Sequence, residues 1–230
     1  MILLKTEKLT KSFNGKPAVN QVDTEFEAGK IYGLLGPNGS GKSSFMKTVA
    51  GLFYPTSGKI TVIDGPVGVP SKSKVAYMPT EPFFYDYMTI KVVGDFFKDF
   101  YEDFDPDFFG EQLEYMQLTQ DMRVRSLSSG MAAKLKVAAT MSRKASVYML
   151  DEPLNGIDLV ARDKIITSII NRAAPDNAIV ISSHLIDSME NILDEVMFLK
   201  EGKLVINGNA EEIREKNGKS IVDLYKEVFA

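Results

Sequence analysis

The stretch GLLGPNGSGKSS (33–44) constrains this chain more than any other. It joins an apolar run, IYGLL (31–35), to a helix-forming run that begins at Lys42. Gly36, Gly41, Lys42 and Ser43 fit the pattern G-x-x-x-x-G-K-[ST]. A strand, a glycine-rich loop and a helix start, in that order, let successive backbone N–H groups curl around a polyphosphate. The helix N-terminus adds positive potential there. Lys42 would bring a point charge to the β- and γ-phosphates, and the Ser43 hydroxyl a ligand for Mg²⁺. Gly36, Pro37, Asn38, Gly39, Ser40, Gly41, Lys42, Ser43 and Ser44 are therefore the expected nucleotide cradle.

The rest of the chain supplies a matching framework. Apolar runs at 59–63, 74–78, 146–150, 178–182, 195–199 and 203–207 alternate with helical stretches. Those stretches lie at 42–51, 90–101, 107–117, 129–143, 158–173, 185–192 and 209–229. The alternation predicts an α/β fold: a phosphate-loop core with a mostly parallel sheet. Residues 2–9 and 18–27 are more polar and alternate, which suits an antiparallel β edge with one wet face. Asp158 is the expected N-cap of the helix at 158–173, with Ile165, Ile166, Ile169 and Ile170 on one face.

One segment differs in kind. Residues 83–115 hold 12 of the 23 aromatics and nine carboxylates against two lysines. An inserted helical subdomain would use most of those rings as its own small core. The FF pairs at 83–84, 96–97 and 108–109 cannot all turn inward, because adjacent residues on a helix face different ways. Some apolar surface is expected to be left over for a partner. The organisation that follows is a nucleotide-binding core over 1–82 and 126–208, a helical insert at 83–125 and a helical tail at 209–230.

Totals exclude several classes. A net charge of −4 argues against a protein that neutralises phosphates along a nucleic acid. The absence of cysteine removes disulfide and thiolate chemistry. MILLKTEKLTKSF at the start breaks into charges too soon for a signal peptide. No run of about 18 apolar residues occurs, so no membrane span is expected.

Further motifs carry chemistry. SVYMLDEP (146–153) ends an apolar run in two carboxylates. Asp151, at a strand's C-terminal end, is the expected holder of Mg²⁺. Glu152 faces elsewhere and is the expected base for an attacking water, a role worth about 10²–10⁴-fold in rate. His184, the single histidine, follows AIVISS and would hydrogen-bond the γ-phosphate or the water. RSLSSGMAAKL (125–135) is a second anion-binding helix start, with two serines and Gly130 before a run of helix formers.

Together these residues resemble the ATP-binding subunit of an ATP-binding-cassette (ABC) transporter, over essentially the whole chain and in that family's order. GPNGSGKSS looks like its Walker A, VYMLDEP its Walker B and LSSGM its signature. NGID (155–158) looks like its D-loop and SSH (182–184) its switch histidine. The resemblance implies that Phe13 stacks on adenine, a contact worth roughly 1–3 kcal/mol. It also implies that two cassettes pair head to tail, each ATP lying between the Walker loop of one and the signature of the other. Ser128, Ser129 and Gly130 would then cap the partner's γ-phosphate, and Asp158 would join the binding set. Lys42, Glu152 and His184 would be the hydrolytic residues, with Ser43, Asp151 and Thr80 toward the metal. Thr80 stands where the family has the glutamine of its Q-loop. Ser129 and Met131 replace a glycine and a glutamine of the signature, and Leu154 a threonine after DEP. With Lys42, Asp151, Glu152 and His184 all present, an active cassette is expected rather than a purely regulatory one.

By the same resemblance ATP and Mg²⁺ are the cofactors. The partners are a transmembrane permease, received by the insert, and a second ABC ATPase subunit, with no nucleic acid. The place of work is the cytoplasmic face of the membrane, held through the permease. RVRSLSSGM with SIVDLYKEVF is similar to exporter-type bacterial cassettes, so export is expected. A soluble ABC ATPase acting on DNA or ribosomes would need a long coiled coil or tandem cassettes with a basic linker, and no heptads run through this acidic chain. A phosphate-loop kinase or GTPase would leave the signature unexplained, and the guanine-reading Asn-Lys-x-Asp is absent.

Overall fold

Alternating burial along the strands sets three layers with one helix enclosed between two sheets. The computed structural model describes residues 1–63 and 65–230. In chain order it runs β1 (Ile2–Phe13), β2 (Lys16–Glu27), β3 (Lys30–Leu35), α1 (Lys42–Val49), β4 (Ser57–Val62) and β5 (Gly65–Pro66). Then come α2 (Val69–Lys72), β6 (Val75–Met78), α3 (Ile90–Phe100), α4 (Pro106–Tyr115), α5 (Ser129–Met141) and β7 (Val147–Asp151). The chain closes with α6 (Leu159–Arg172), β8 (Ala178–Ser183), β9 (Glu195–Lys200), β10 (Lys203–Asn209), α7 (Ala210–Asn217) and α8 (Ile221–Phe229).

The central sheet has the order β10-β9-β3-β8-β7-β6. Its pairs are parallel from β9 through β6, and β10 lies antiparallel at the edge. A second sheet, β2-β1-β4-β5, is antiparallel throughout. The antiparallel strands foreseen near the N-terminus therefore form a sheet of their own. The apolar run at 59–63 joins that sheet rather than the parallel one, pairing Leu4 with Val62 and Thr6 with Ile60.

Period-two alternation sends neighbouring residues of each central strand to opposite layers. Tyr32, Leu34, Val147, Met149, Ala178 and Val180 pack with Phe45, Met46 and Val49 of α1 and with Leu4, Phe26 and Ile60 of the antiparallel sheet. Ile31, Leu35, Tyr148, Leu150, Ile179 and Ile181 pack instead against α5 and α6. The insert shares this second cluster through Ile90, Val93, Phe97, Phe109 and Leu113. Its firmest tie is buried Arg143, whose Nε and Nη2 each donate to Asp103 at 3.0 Å. The same guanidinium donates to the carbonyls of Lys72, Ser73 and Val75. Removing one partner of such a pair costs about 3–5 kcal/mol.

Three sequence expectations give way to geometry. The helix expected at 185–192 is only a 3₁₀ turn at Glu190–Ile192. The eleven residues 184–194 must bring the chain from the end of β8 back to the start of β9, past β3, because these strands are parallel. Six strand residues at about 3.3 Å each span roughly 20 Å, and an eight-residue helix covers only about 12 Å. The tail at 209–229 is two helices, because Gly218 takes φ 61° and Ser220 caps a fresh start by accepting from the Asp223 N–H. In α6, Ile165 and Ile169 are fully buried while Ile170 is 45% exposed, so the apolar face is narrower than four isoleucines.

The candidate phosphate site

The loop after β3 encloses its helix start closely. Gly41 has φ +108°, and a Cβ there would lie 2.1 Å from the Ala18 carbonyl oxygen, so only glycine fits. Gly39 has φ +81° and open space beside it, which leaves room for a ligand against bare backbone. No side chain caps α1, so its first N–H groups are free for an anion. Lys42 is buried and donates to the carbonyls of Gly36 at 2.7 Å and Pro37 at 3.2 Å.

Asp151, at the C-terminal end of β7, is fully buried beside this loop. Ser182 Oγ donates to its Oδ1 at 2.6 Å, and Tyr77 Oη to its Oδ2 at 3.3 Å. Burial, with the Asp151 charge next, pushes the Tyr77 phenol far above its ordinary range, so it stays a donor. Glu152 then turns out of the strand with φ +50°. Its Oε2 lies 2.9 Å from His184 Nδ1, and its Oε1 lies 3.2 Å from Lys42 Nζ without hydrogen-bond alignment. Thr80 Oγ1 donates to the Asp151 carbonyl at 3.4 Å. Lys136 holds that loop by donating to the carbonyls of Pro79 and Thr80, and burial lowers its ammonium pKa.

Asn38, Gly39, Lys42, Ser43, Thr80 and Glu152 line one cleft of about 260 Å³. A larger cleft of about 850 Å³ crosses the antiparallel sheet. There Lys5 pairs with Glu25, and Lys30 with Glu27 and Glu195, and five carboxylates outnumber the four lysines of the lining, which disfavours phosphate. The smaller cleft carries the chemistry. Among the described residues two buried polar side-chain atoms lack a hydrogen-bond partner: Glu152 Oε1, in the lining of this cleft, and Ser40 Oγ, in the loop after β3. An orphaned carboxylate oxygen in the cleft lining fits a pocket shaped for a polar ligand. A triphosphate suits the free N–H groups and Lys42; a hard cation with oxygen ligands suits Ser43 and Asp151.

The signature borders the site: Ser129 lines a neighbouring cleft of about 470 Å³ together with Thr80 and Glu152. Ser128 caps α5 by accepting from the Met131 N–H at 3.2 Å, and Ser128 and Ser129 are exposed. None of Ser128, Ser129 and Gly130 lines the smaller cleft of about 260 Å³. Ser129 Oγ donates to the Gly156 carbonyl at 3.4 Å, and a Cβ on Gly130 would meet Asp158 and Ile157 at 3.8 Å. The signature and the 155–158 loop thus form one surface. Asp158 caps α6, as expected, accepting from the Ala161 N–H at 2.9 Å. That bond holds its carboxyl below the ordinary range. Phe13 is 42% exposed and meets Phe53 edge-on at 5.4 Å, outside the cleft's lining. Sequence reading missed Ser182 and Tyr77. The serine pair beside His184 was a visible signal, but its meaning needs the strand pairing.

A parallel sheet with a glycine-rich loop, a strand-end aspartate and an adjoining glutamate defines a phosphate-loop ATPase. The ABC transporter family model matches residues 19–155. The chain is 30% identical over 236 residues to the Nod factor export ATP-binding protein I of Rhizobium meliloti (strain 1021), covering 97% of this chain and 70% of that one. Its fold is that of a solved ATP-binding subunit of an ABC transporter, at TM-score 0.89 and 23% identity over 98% of both chains. It also overlays an ATP-binding cassette solved as a dimer in a post-hydrolysis state bound to ADP and Pi, at TM-score 0.80 and 17% identity, covering 90% of this chain and 98% of that one. The chain belongs to the ABC transporter family, as an ATP-binding and ATP-hydrolysing subunit.

Proposed function

We propose that two such cassettes close around two Mg·ATP and drive export through a separate permease. The observation that carries this is the division of the phosphate-binding parts: Gly39, Lys42 and Ser43 line a cleft that no signature residue lines, and Ser128 and Ser129 are exposed beside it. A bare helix start prefers an anion, and charge-assisted hydrogen bonds contribute about 1.5–3 kcal/mol each. Ser128, Ser129, Gly130 and Asp158 supply these to the nucleotide of a second subunit. ADP has no γ-phosphate, so hydrolysis removes those contacts and the pair opens. The cassette solved as a dimer with ADP and Pi supports this pairing.

Within each cleft Gly36, Pro37, Asn38, Gly39, Ser40, Gly41 and Ser44 wrap the phosphates, and Lys42 leaves its carbonyl partners for them. Phe13 stacks on adenine. Ser43 and Asp151, with Thr80 behind Asp151, hold Mg²⁺, which when bound neutralises charge on the phosphate oxygens. Glu152 polarises the water, and His184, already 2.9 Å from Glu152, orients that carboxylate toward it.

The insert, residues 83–125, faces the permease. Tyr85 and Tyr87 stack at 5.5 Å and are 61% and 70% exposed. A groove of about 350 Å³ between Leu52, Phe83, Phe97 and Tyr101 offers an apolar seat for a few partner side chains. No helix among the described residues is long and apolar enough to cross a membrane, so the reading places the cassette on the cytoplasmic face through that partner. Likeness to a Nod factor export protein supports the outward direction. Glu152→Gln tests the core of this reading. It keeps ATP binding, lowers turnover about 10²–10⁴-fold and accumulates an ATP-bound dimer by light scattering. Undiminished hydrolysis would remove Glu152 from the base role.

A further inference from the structure

We infer that Ser182 is a positioning residue whose single hydroxyl sets both carboxylates of the hydrolytic site; the inference rests on the metal and base roles proposed above for Asp151 and Glu152. The pairing of β7 with β8 puts Ser182 directly beside Asp151. Alternation sends both toward α1, on the face shared by Met149 and Val180. Both residues have no exposed surface. In that enclosed place Ser182 Oγ donates to Asp151 Oδ1 at 2.6 Å and accepts from the Glu152 N–H at 2.9 Å.

The second bond explains why the residue is a serine. At φ +50° Glu152 is in the left-handed region, which non-glycine residues avoid. Its N–H has left the sheet ladder, and a buried N–H needs an acceptor. A hydroxyl both accepts and donates, so one group can satisfy that N–H and restrain Asp151. Alanine or valine could do neither. The chain of bonds runs from the Glu152 N–H through the Ser182 hydroxyl to the Asp151 carboxylate, each bond polarising the next. Asp151 has a second donor in Tyr77, but at 3.3 Å it is the longer contact. Ser182 therefore ties the metal-holding carboxylate and the base to one strand register, and displacing its hydroxyl displaces both.

Ser182→Ala in the full chain tests this with Mn²⁺ as the probe. Metal-free ATP affinity, measured in chelator, is expected to stay unchanged, because the loop after β3 does not depend on Ser182. Mn²⁺ affinity of the complex with a non-hydrolysable ATP analogue, read by electron paramagnetic resonance, is expected to fall about 10- to 100-fold. Turnover falls through kcat rather than KM. Ser182→Cys, which keeps a weak donor, recovers part of the Mn²⁺ affinity and carries the same test should the alanine variant not fold. Unchanged Mn²⁺ affinity and kcat, with only a lower melting temperature, would overturn the inference. Asp151→Asn separates the failures: if it too leaves Mn²⁺ binding intact, the metal role proposed for Asp151 is what has failed.

Discussion

Two helices of this chain begin at serine- and glycine-rich loops, and they begin differently. α1 opens at left-handed Gly41 with no side-chain cap, and its first residue, Lys42, is 5% exposed. α5 opens at Ser128, whose own hydroxyl caps the Met131 N–H, and Ser128 and Ser129 are in solvent while Gly130 is half-buried. The first start keeps its donors unsatisfied behind walls, so a ligand can complete it from within one chain. The second has its Met131 N–H capped by Ser128 and its outer edge exposed, so its remaining donors become part of a site only when another surface closes on it. Local sequence shows both as anion-binding helix starts; burial separates their jobs.

The comparison breaks most readily at α1. Lys42→Ala is expected to abolish tight ATP binding and lower turnover about 10²–10³-fold, the range for removing one preorganised donor. A fluorescent-nucleotide titration showing wild-type affinity would mean that α1 is not the enclosed seat. Ser128→Arg should act oppositely. ATP affinity of the isolated chain stays unchanged, while turnover falls roughly 10–100-fold, the equivalent of one charge-assisted hydrogen bond of about 1.5–3 kcal/mol. Loss of binding in that variant would make the signature part of its own chain's cleft.

The smallest effect concerns the loop beside the signature. Asp158 has a folded pKa lowered chiefly by the Ala161 N–H. Its contribution to stability is thus present above its unfolded pKa and lost as pH falls through the lower folded value. Melting of Asp158→Asn followed through the acid range should show a shallower decline than the parent chain. An identical pH profile would remove the cap from the account of how that surface is held.

Much of this was legible beforehand because it is local. The phosphate loop needs glycines and a lysine at fixed offsets, and the Asp151–Glu152 pair announces a strand end. The cap at Asp158 follows from its place before α6. What escaped depends on partners distant in sequence. Ser182 acquires its role from lying beside Asp151 across the sheet, and Tyr77 from reaching that same carboxylate. The run at 185–192 has helical spacing, yet the span back to β9 forbids a helix. Gly218 was a readable stop, overlooked because apolar spacing continues past it into α8.

The claim that the terminal phosphate is clamped between two chains can be tested through the protein's lack of cysteine. A single Ser129→Cys, placed in Glu152→Gln, reports on the exposed start of α5 through its rate of maleimide labelling. The account predicts fast labelling with ADP and strong protection with Mg·ATP, and the protection should grow with protein concentration. Labelling that stays fast in saturating Mg·ATP at every concentration would contradict it.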